Sequence, residues 1–152
     1  MVRQVVRNKI LVIPYTTSPS GVSEFFMVQD RKTKEWGFVS GGIKRNELPE
    51  QAATREVLEE TSGILSTDTM VYLSSFVTSY RPQDLKVLDR KNREKVKSLY
   101  YVFLLKFDHA NVSRFRPNKE VVNVRVAKYA DFENVWSFCD DVYFQRISTI
   151  IN

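Results

Sequence analysis

Apolar positions along the chain follow two different periods. Residues 2–15, "VRQVVRNKILVIPY", are rich in Val and Ile and alternate like a strand, ending at the turn signal "TTSPSG". "EFFMVQD" (24–30) reads as the next strand, so residues 2–30 form a hairpin with a loose loop. "RKTKEWGFVSGG" then gives a short extended piece followed by a glycine loop. "MVYLSSFVTSY" (70–80) and "SLYYVFLLKF" (98–107) read as two long paired strands, and "EVVNVRVAKY" (120–129) alternates as another. Helical spacing governs two stretches. Residues 49–61 are bounded by Pro49, which suits a first helical position, and by Gly63, which suits a stop, although Leu48 is a poor N-cap. Residues 131–151 carry apolar positions at helical spacing, with Asp140 and Asp141 as caps for their last part. The resulting order, βββ-α-βββ-α, predicts an α/β fold: one domain spanning residues 1–152, with helices flanking a mixed sheet in α/β/α layers.

Charge changes this picture in two places. The chain holds 23 Lys and Arg against 18 Asp and Glu, a net charge of +5 and a pI near 9.3, which favours anionic partners such as nucleotides, RNA or inositol phosphates, with a merely soluble basic surface as the equal alternative. Part of that excess falls in residues 81–97, "RPQDLKVLDRKNREKVK", where Arg81, Lys86, Arg90, Lys91, Arg93, Lys95 and Lys97 face three acids. The stretch is too long for a tight hairpin turn, so it reads either as a solvated loop or as a binding loop. The single cysteine, Cys139, excludes an internal disulfide, and the lone histidine, His109, reads as an exposed loop residue. No apolar run approaches the roughly 18 residues of a membrane span, and the N-terminus lacks the apolar core of a signal peptide. The expectation is a soluble cytoplasmic protein.

The second place is "GGIKRNELPEQAATREVLEETSG" (41–63), where acid concentrates in a basic chain. On a helix, Glu56, Glu59 and Glu60 share one side within an arc of roughly 100°, and Arg55 stands four residues before Glu59. Unneutralised pairs at this spacing cost only about 0.2–0.5 kcal/mol each, so a solvated acidic face is a viable reading. Against it stand Glu47, a further carboxylate just before the helix, and the pair Gly41 and Gly42, which lets backbone approach a ligand. Hard cations such as Mg²⁺ take oxygen ligands of this kind.

The spacing resembles the signature of the Nudix hydrolase family, G-x5-E-x7-R-E-U-x-E-E-x-G-U, through Gly41, Glu47, Arg55, Glu56, Val57, Glu59 and Glu60. Trp36 stands where that family often carries an aromatic, and core support for the glycine loop is the expected role over a base-stacking platform. Two departures are visible. "FVSGG" replaces a more usual Pro-containing stretch, and Ser62 occupies the signature's glycine, with Gly63 one residue later, as though the helix stop were lengthened by one. The resemblance implies a Nudix-type α/β/α sandwich and hydrolysis of a phosphoanhydride with Mg²⁺ or Mn²⁺. By the same resemblance Glu56, Glu59, Glu60 and the Gly41 carbonyl would hold metal. Arg55 would pair with a glutamate, and Glu47 would brace Arg55 or hold water beside the metal. The general base would be a signature glutamate such as Glu59 or a loop acid. Glu120 matches a place where members carry a further glutamate that reaches metal, and Glu94 is the weaker candidate.

The cations of residues 81–97, among them Arg81, Lys91 and Arg93, together with "SRFRPNK" (113–119), would meet the substrate. Their number points to capped RNA, a dinucleoside polyphosphate or a diphosphoinositol phosphate. ADP-ribose or another sugar nucleotide is the alternative substrate, and a non-catalytic RNA- or nucleotide-binding protein the alternative class.

Overall fold

The structure, a computed structural model, describes residues 3–78 and 94–128. Its centre is β1 (Arg3–Thr17), whose "ILVI" core is apolar on both faces because the strand is covered on both. Along one edge β1 runs parallel to β6 (Glu94–Lys106), from Arg3 opposite Glu94 to Tyr15 opposite Lys106. Two strands share its other edge, both antiparallel: β4 (Val39–Gly42) beside residues 9–12, and β2 (Ser23–Asp30) beside residues 15–17. β2 also pairs with β3 (Trp36–Gly37) and with β7 (Val121–Lys128), while β5 (Val71–Thr78) closes on β6. The result is a seven-stranded mixed sheet. The predicted hairpin over residues 2–30 and the predicted pairing of the two long strands are both present.

The single described α-helix, α1 (Pro49–Glu60), packs on β1 and β4. Ala52, Ala53 and Val57 are fully buried there against Ile10, Val12, Phe26, Val39 and Leu105, and the two alanines let the helix approach the sheet closely. On the opposite face Leu11, Ile13, Phe25, Met27, Phe38 and Val102 form a second cluster. Trp36 packs into that second cluster with the Arg125 guanidinium 5.0 Å from its ring, so it supports the core on the side away from α1.

Leu48 makes no side-chain cap, as its chemistry requires; instead the Gln51 side chain accepts from the Leu48 N–H at 2.9 Å. The other end differs from the sequence expectation. The helix is not lengthened: Ser62 itself takes the left-handed backbone, φ +55°, and Gly63 follows at φ +75°. The Gly63 N–H closes on the Leu58 carbonyl at 3.0 Å, which is a Schellman closure.

Two further expectations are corrected. The glycine pair does not form a loop but ends β4, because the β1 edge is open there and offers backbone partners. Of the stretch predicted as a loop over 81–97, residues 94–97 belong to β6, which places Lys95 and Lys97 on a strand, and the remainder lies outside the described residues. The helix expected over 131–151 and Cys139 lie outside the described residues, as do Arg81, Lys91 and Arg93. Among the described residues no helix is long and apolar enough to cross a membrane.

The two faces of this packing give a direct contrast. Leu105 is fully buried under α1 whereas Leu48 is 64% exposed. Leu105→Ala is expected to cost about 2–5 kcal/mol in urea denaturation, and Leu48→Ala less than about 0.5 kcal/mol. Equal losses at the two positions would contradict the core described here.

Candidate active site

Three elements converge beside Gly41: the end of β4, the C-terminal half of α1 and the start of β7. The reason lies in the α1 sequence. Ala52, Glu56 and Glu60 form one row at i, i+4, i+8, so the row that buries Ala52 also carries both glutamates inward. Each of the two glutamates is only 7% exposed. Glu120, just before β7, meets them: one carboxylate oxygen from each of Glu56, Glu60 and Glu120 lies within 4.8 Å of the others.

Glu59 does not join this group. It lies at the other edge of the arc, with its side chain 47% exposed, and its nearest ion-pair contact is Arg55 Nη1 at 3.5 Å. A shared 100° arc is wide enough to put one edge in the core and the other in water.

Arg55 is the hub. Its Nε and Nη2 donate to the two Glu47 oxygens at 2.9 Å each, a bidentate pair. Nη2 also donates to the Gly42 carbonyl at 2.9 Å, and Nη1 donates to Glu56 Oε1 at 2.7 Å. These bonds raise the Arg55 pKa further above its ordinary value, Glu47 contributing most. In return Arg55, followed by the Lys44 N–H, holds the Glu47 carboxyl down to about 2.

The other acids move the opposite way. Burial first, and then the neighbouring Glu56 and Glu120, push the Glu60 carboxyl well above the usual carboxylate range; the Ser40 N–H acts against them. Glu120 is raised by desolvation and then by Glu56 and Glu59. Among the described residues the buried Glu60 Oε2 has no hydrogen-bond partner.

Gly41 is required by close approach. A Cβ on it would lie 2.3 Å from the Glu56 carboxylate. The donor set is therefore all oxygen, buried at Glu56 and Glu60 and open to solvent at Glu120, and among the described residues it is short of positive charge and missing a partner at one atom. That chemistry fits a hard divalent cation held by Glu56, Glu60 and Glu120.

The segment before Glu120 is basic. Arg114, Arg116 and Lys119 are exposed on the connection that leads to Glu120. An open groove on the outer face of α1, lined by Gln51, Thr54, Arg55, Leu58 and Glu59, joins the exposed edge of the site. His109 is exposed in a 3-10 turn, its Nε2 3.3 Å from Glu24, and takes no part. Glu94 opens β6.

A family model described as the NUDIX domain matches residues 10–145. The chain belongs to the Nudix family. No curated protein matches it significantly. Solved Nudix structures match its fold at low identity. A Caenorhabditis elegans Ap4A hydrolase in a binary complex aligns with TM-score 0.68 and 15% identity, covering 95% of this chain and 97% of that one. The NUDIX domain of Shewanella oneidensis NrtR complexed with ADP ribose aligns at TM-score 0.66 and 15% identity, covering 100% and 91%. The Escherichia coli dihydroneopterin triphosphate pyrophosphohydrolase aligns at 0.63 and 17%, covering 93% and 96%. These likenesses, with the mixed sheet, identify the chain as an α/β protein of the Nudix fold.

Sequence reasoning missed two residues at this Nudix site, Ser62 and Asn118. The stretch "RPNKE" carried a faint signal, because an Asn two residues before Glu120 is a common turn former.

Two outcomes follow from this geometry. In Gly41→Ala the clash falls on the flexible end of a side chain, so the stability loss should be about 1 kcal/mol, the low end for overpacking. The displaced Glu56 should nevertheless weaken Mn²⁺ binding at least tenfold by titration; unchanged affinity would remove Glu56 from the site. For Glu47, a folded pKa of about 2 below an ordinary value of 4.5 means its stabilisation is complete above pH 4.5 and lost as pH falls through about 2. Glu47→Gln should therefore unfold more easily than wild type near neutrality, and the gap should close on acidification. A gap constant down to pH 2 would exclude the Arg55 pair as its source.

Proposed function

We propose that this Nudix protein is a divalent-metal-dependent pyrophosphohydrolase that adds water across a phosphoanhydride bond. The observation that carries the reading is the convergence of Glu56, Glu60 and Glu120 around a buried, partnerless carboxylate oxygen next to Gly41. In this reading Glu56, Glu60 and Glu120 hold Mg²⁺ or Mn²⁺ together with the Gly41 carbonyl. When bound, such an ion neutralises phosphate oxygens and acidifies the water it holds.

The chain's own residues do the rest. Arg55 aims Glu56 through the 2.7 Å bond, and Glu47 fixes Arg55 in place. Glu59, open to solvent at the rim, takes the proton from the attacking water. The oxygen of that water bonds to one phosphorus as the bridging P–O bond breaks, and the two phosphate products separate.

For the substrate, we propose a nucleoside-diphosphate-linked or polyphosphorylated molecule, with capped RNA, a dinucleoside polyphosphate or a diphosphoinositol phosphate preferred. The exposed cations Arg114, Arg116 and Lys119 beside Glu120 support a substrate with more charge than one diphosphate. The fold likeness to an Ap4A hydrolase is compatible with the dinucleoside polyphosphate, and that to an ADP-ribose-bound Nudix domain with the alternative, a sugar nucleotide.

Phosphate or nucleotide release from that panel, with Mn²⁺ or with chelator, tests the reading. At least one substrate should turn over only with metal. Glu56→Gln and Glu60→Gln should lose about a hundredfold or more in kcat, as removal of several kcal/mol of charge stabilisation requires. Glu59→Gln should lose about 10²–10⁴-fold with metal affinity retained. Tight binding of a panel member without any turnover would make the protein a binding module instead.

A further inference from the structure

One amide joins the two ends of the site. Asn118 Oδ1 accepts the N–H groups of Glu120 and Val121 at 3.0 and 2.9 Å, which fixes the backbone where β7 begins. Its Nδ2 donates to the Glu60 carbonyl and to Ser62 Oγ, both at 3.1 Å. Ser62 Oγ donates in turn to the Arg116 carbonyl at 2.5 Å. The Asn118 side chain thus uses two acceptor and two donor positions, which is all an amide offers. Arg31 adds backbone support, its Nε donating to the Asn118 carbonyl and its N–H to the Glu120 carbonyl, each at 2.8 Å.

We infer that Asn118 is a positioning residue that sets Glu120 against Glu56 and Glu60, with Ser62 as its anchor just past the end of α1. Glu60 and Glu120 are distant in sequence and repel each other when ionised, so their approach must be imposed by something other than their own attraction. Asn118 binds the backbone of both residues and touches neither carboxylate. It therefore fixes where the oxygens stand without using their capacity to bind a cation. Ser62 makes the link possible, because a hydroxyl at this position reaches both the amide and the Arg116 carbonyl. The inference rests on reading Glu56, Glu60 and Glu120 as a divalent-cation site.

The test is Mn²⁺ affinity, read from the electron paramagnetic resonance signal of unbound ion, in wild type, Glu120→Gln, Asn118→Ala and the double variant. Glu120→Gln and Asn118→Ala are each expected to weaken binding about tenfold, the lower end for outer-sphere partners. The double variant should bind no more weakly than Glu120→Gln alone, because Asn118 acts only through Glu120. A purely structural loss would instead persist in the Glu120→Gln background, and that result overturns the inference, as does wild-type affinity in Asn118→Ala. Should Asn118→Ala fail to fold, Ser62→Gly decides the matter, since glycine accepts φ +55° freely. It should weaken Mn²⁺ about threefold, the worth of a net hydrogen bond, and have no effect beside Glu120→Gln. If Glu120→Gln itself binds Mn²⁺ as wild type does, the cation-site reading fails and the inference falls with it. If Glu120→Gln weakens binding and Asn118→Ala does not, the inference alone fails.

Discussion

Negative charge taken out of water is the constraint around which this site is built. Glu56 and Glu60 are 7% exposed, and Glu120 brings a third oxygen within 4.8 Å. At that separation two ionised carboxylates repel by roughly 3.5 kcal/mol at an effective dielectric of 20. Arg55 offsets part of this, but it spends most of its donors on Glu47 and Gly42 and gives Glu56 one short bond. Among the described residues Glu60 receives no cationic side chain and keeps one oxygen without a partner. Such an arrangement is a poor way to stabilise a fold and a good way to leave a place for a cation.

The sheet supplies the rigidity that this repulsion demands. β1 is buried on both faces over residues 10–13 and pairs with β6 along its length, so the strand that receives β4 is itself held from behind. β4 then presents Gly41 to the helix, and the missing Cβ is the space the Glu56 carboxylate fills. α1 cannot back away, because Ala53 and Val57 lock its neighbouring row into the core and Ala52 buries the start of the glutamate row itself. Each link is local and ordinary; their sum is a pair of carboxylates, Glu56 and Glu60, held out of solvent with the exposed Glu120 beside them.

Residues 49–63 were legible because a helix states its own limits: Pro49 and Gly63 bracket it, and the signature spacing lies within one continuous stretch. The strands were legible as strands for the same reason. Their partners were not all evident. Nothing local in "SLYYVFLLKF" announces that it runs parallel to β1, and nothing in "EVVNVRVAKY" names β2 as its neighbour. Glu120 could therefore be singled out only by resemblance, while its meeting with Glu60 is a product of β7 docking on β2. The split between Glu59 and its two neighbours was within reach of the sequence. Extending the alanine row from Ala52 leads to Glu56 and Glu60 and leaves Glu59 aside. The helical arc alone does not say which edge faces the sheet; the small residues do.

Ser62 shows how a departure from the signature can be absorbed. A left-handed conformation costs a non-glycine residue of the order of 1–2 kcal/mol, and glycine would adopt it freely. Serine holds φ +55° here because its hydroxyl bridges the Arg116 carbonyl and the Asn118 amide. Alanine would bear the same backbone cost with no bond in return, whereas glycine would remove the cost and the bridge together. The chain has thus exchanged a conformationally free stop for a tethered one. The tether ends on the segment that delivers Glu120. In this protein the helix stop and the third carboxylate are consequently one mechanical unit, joined where the signature treats them as separate.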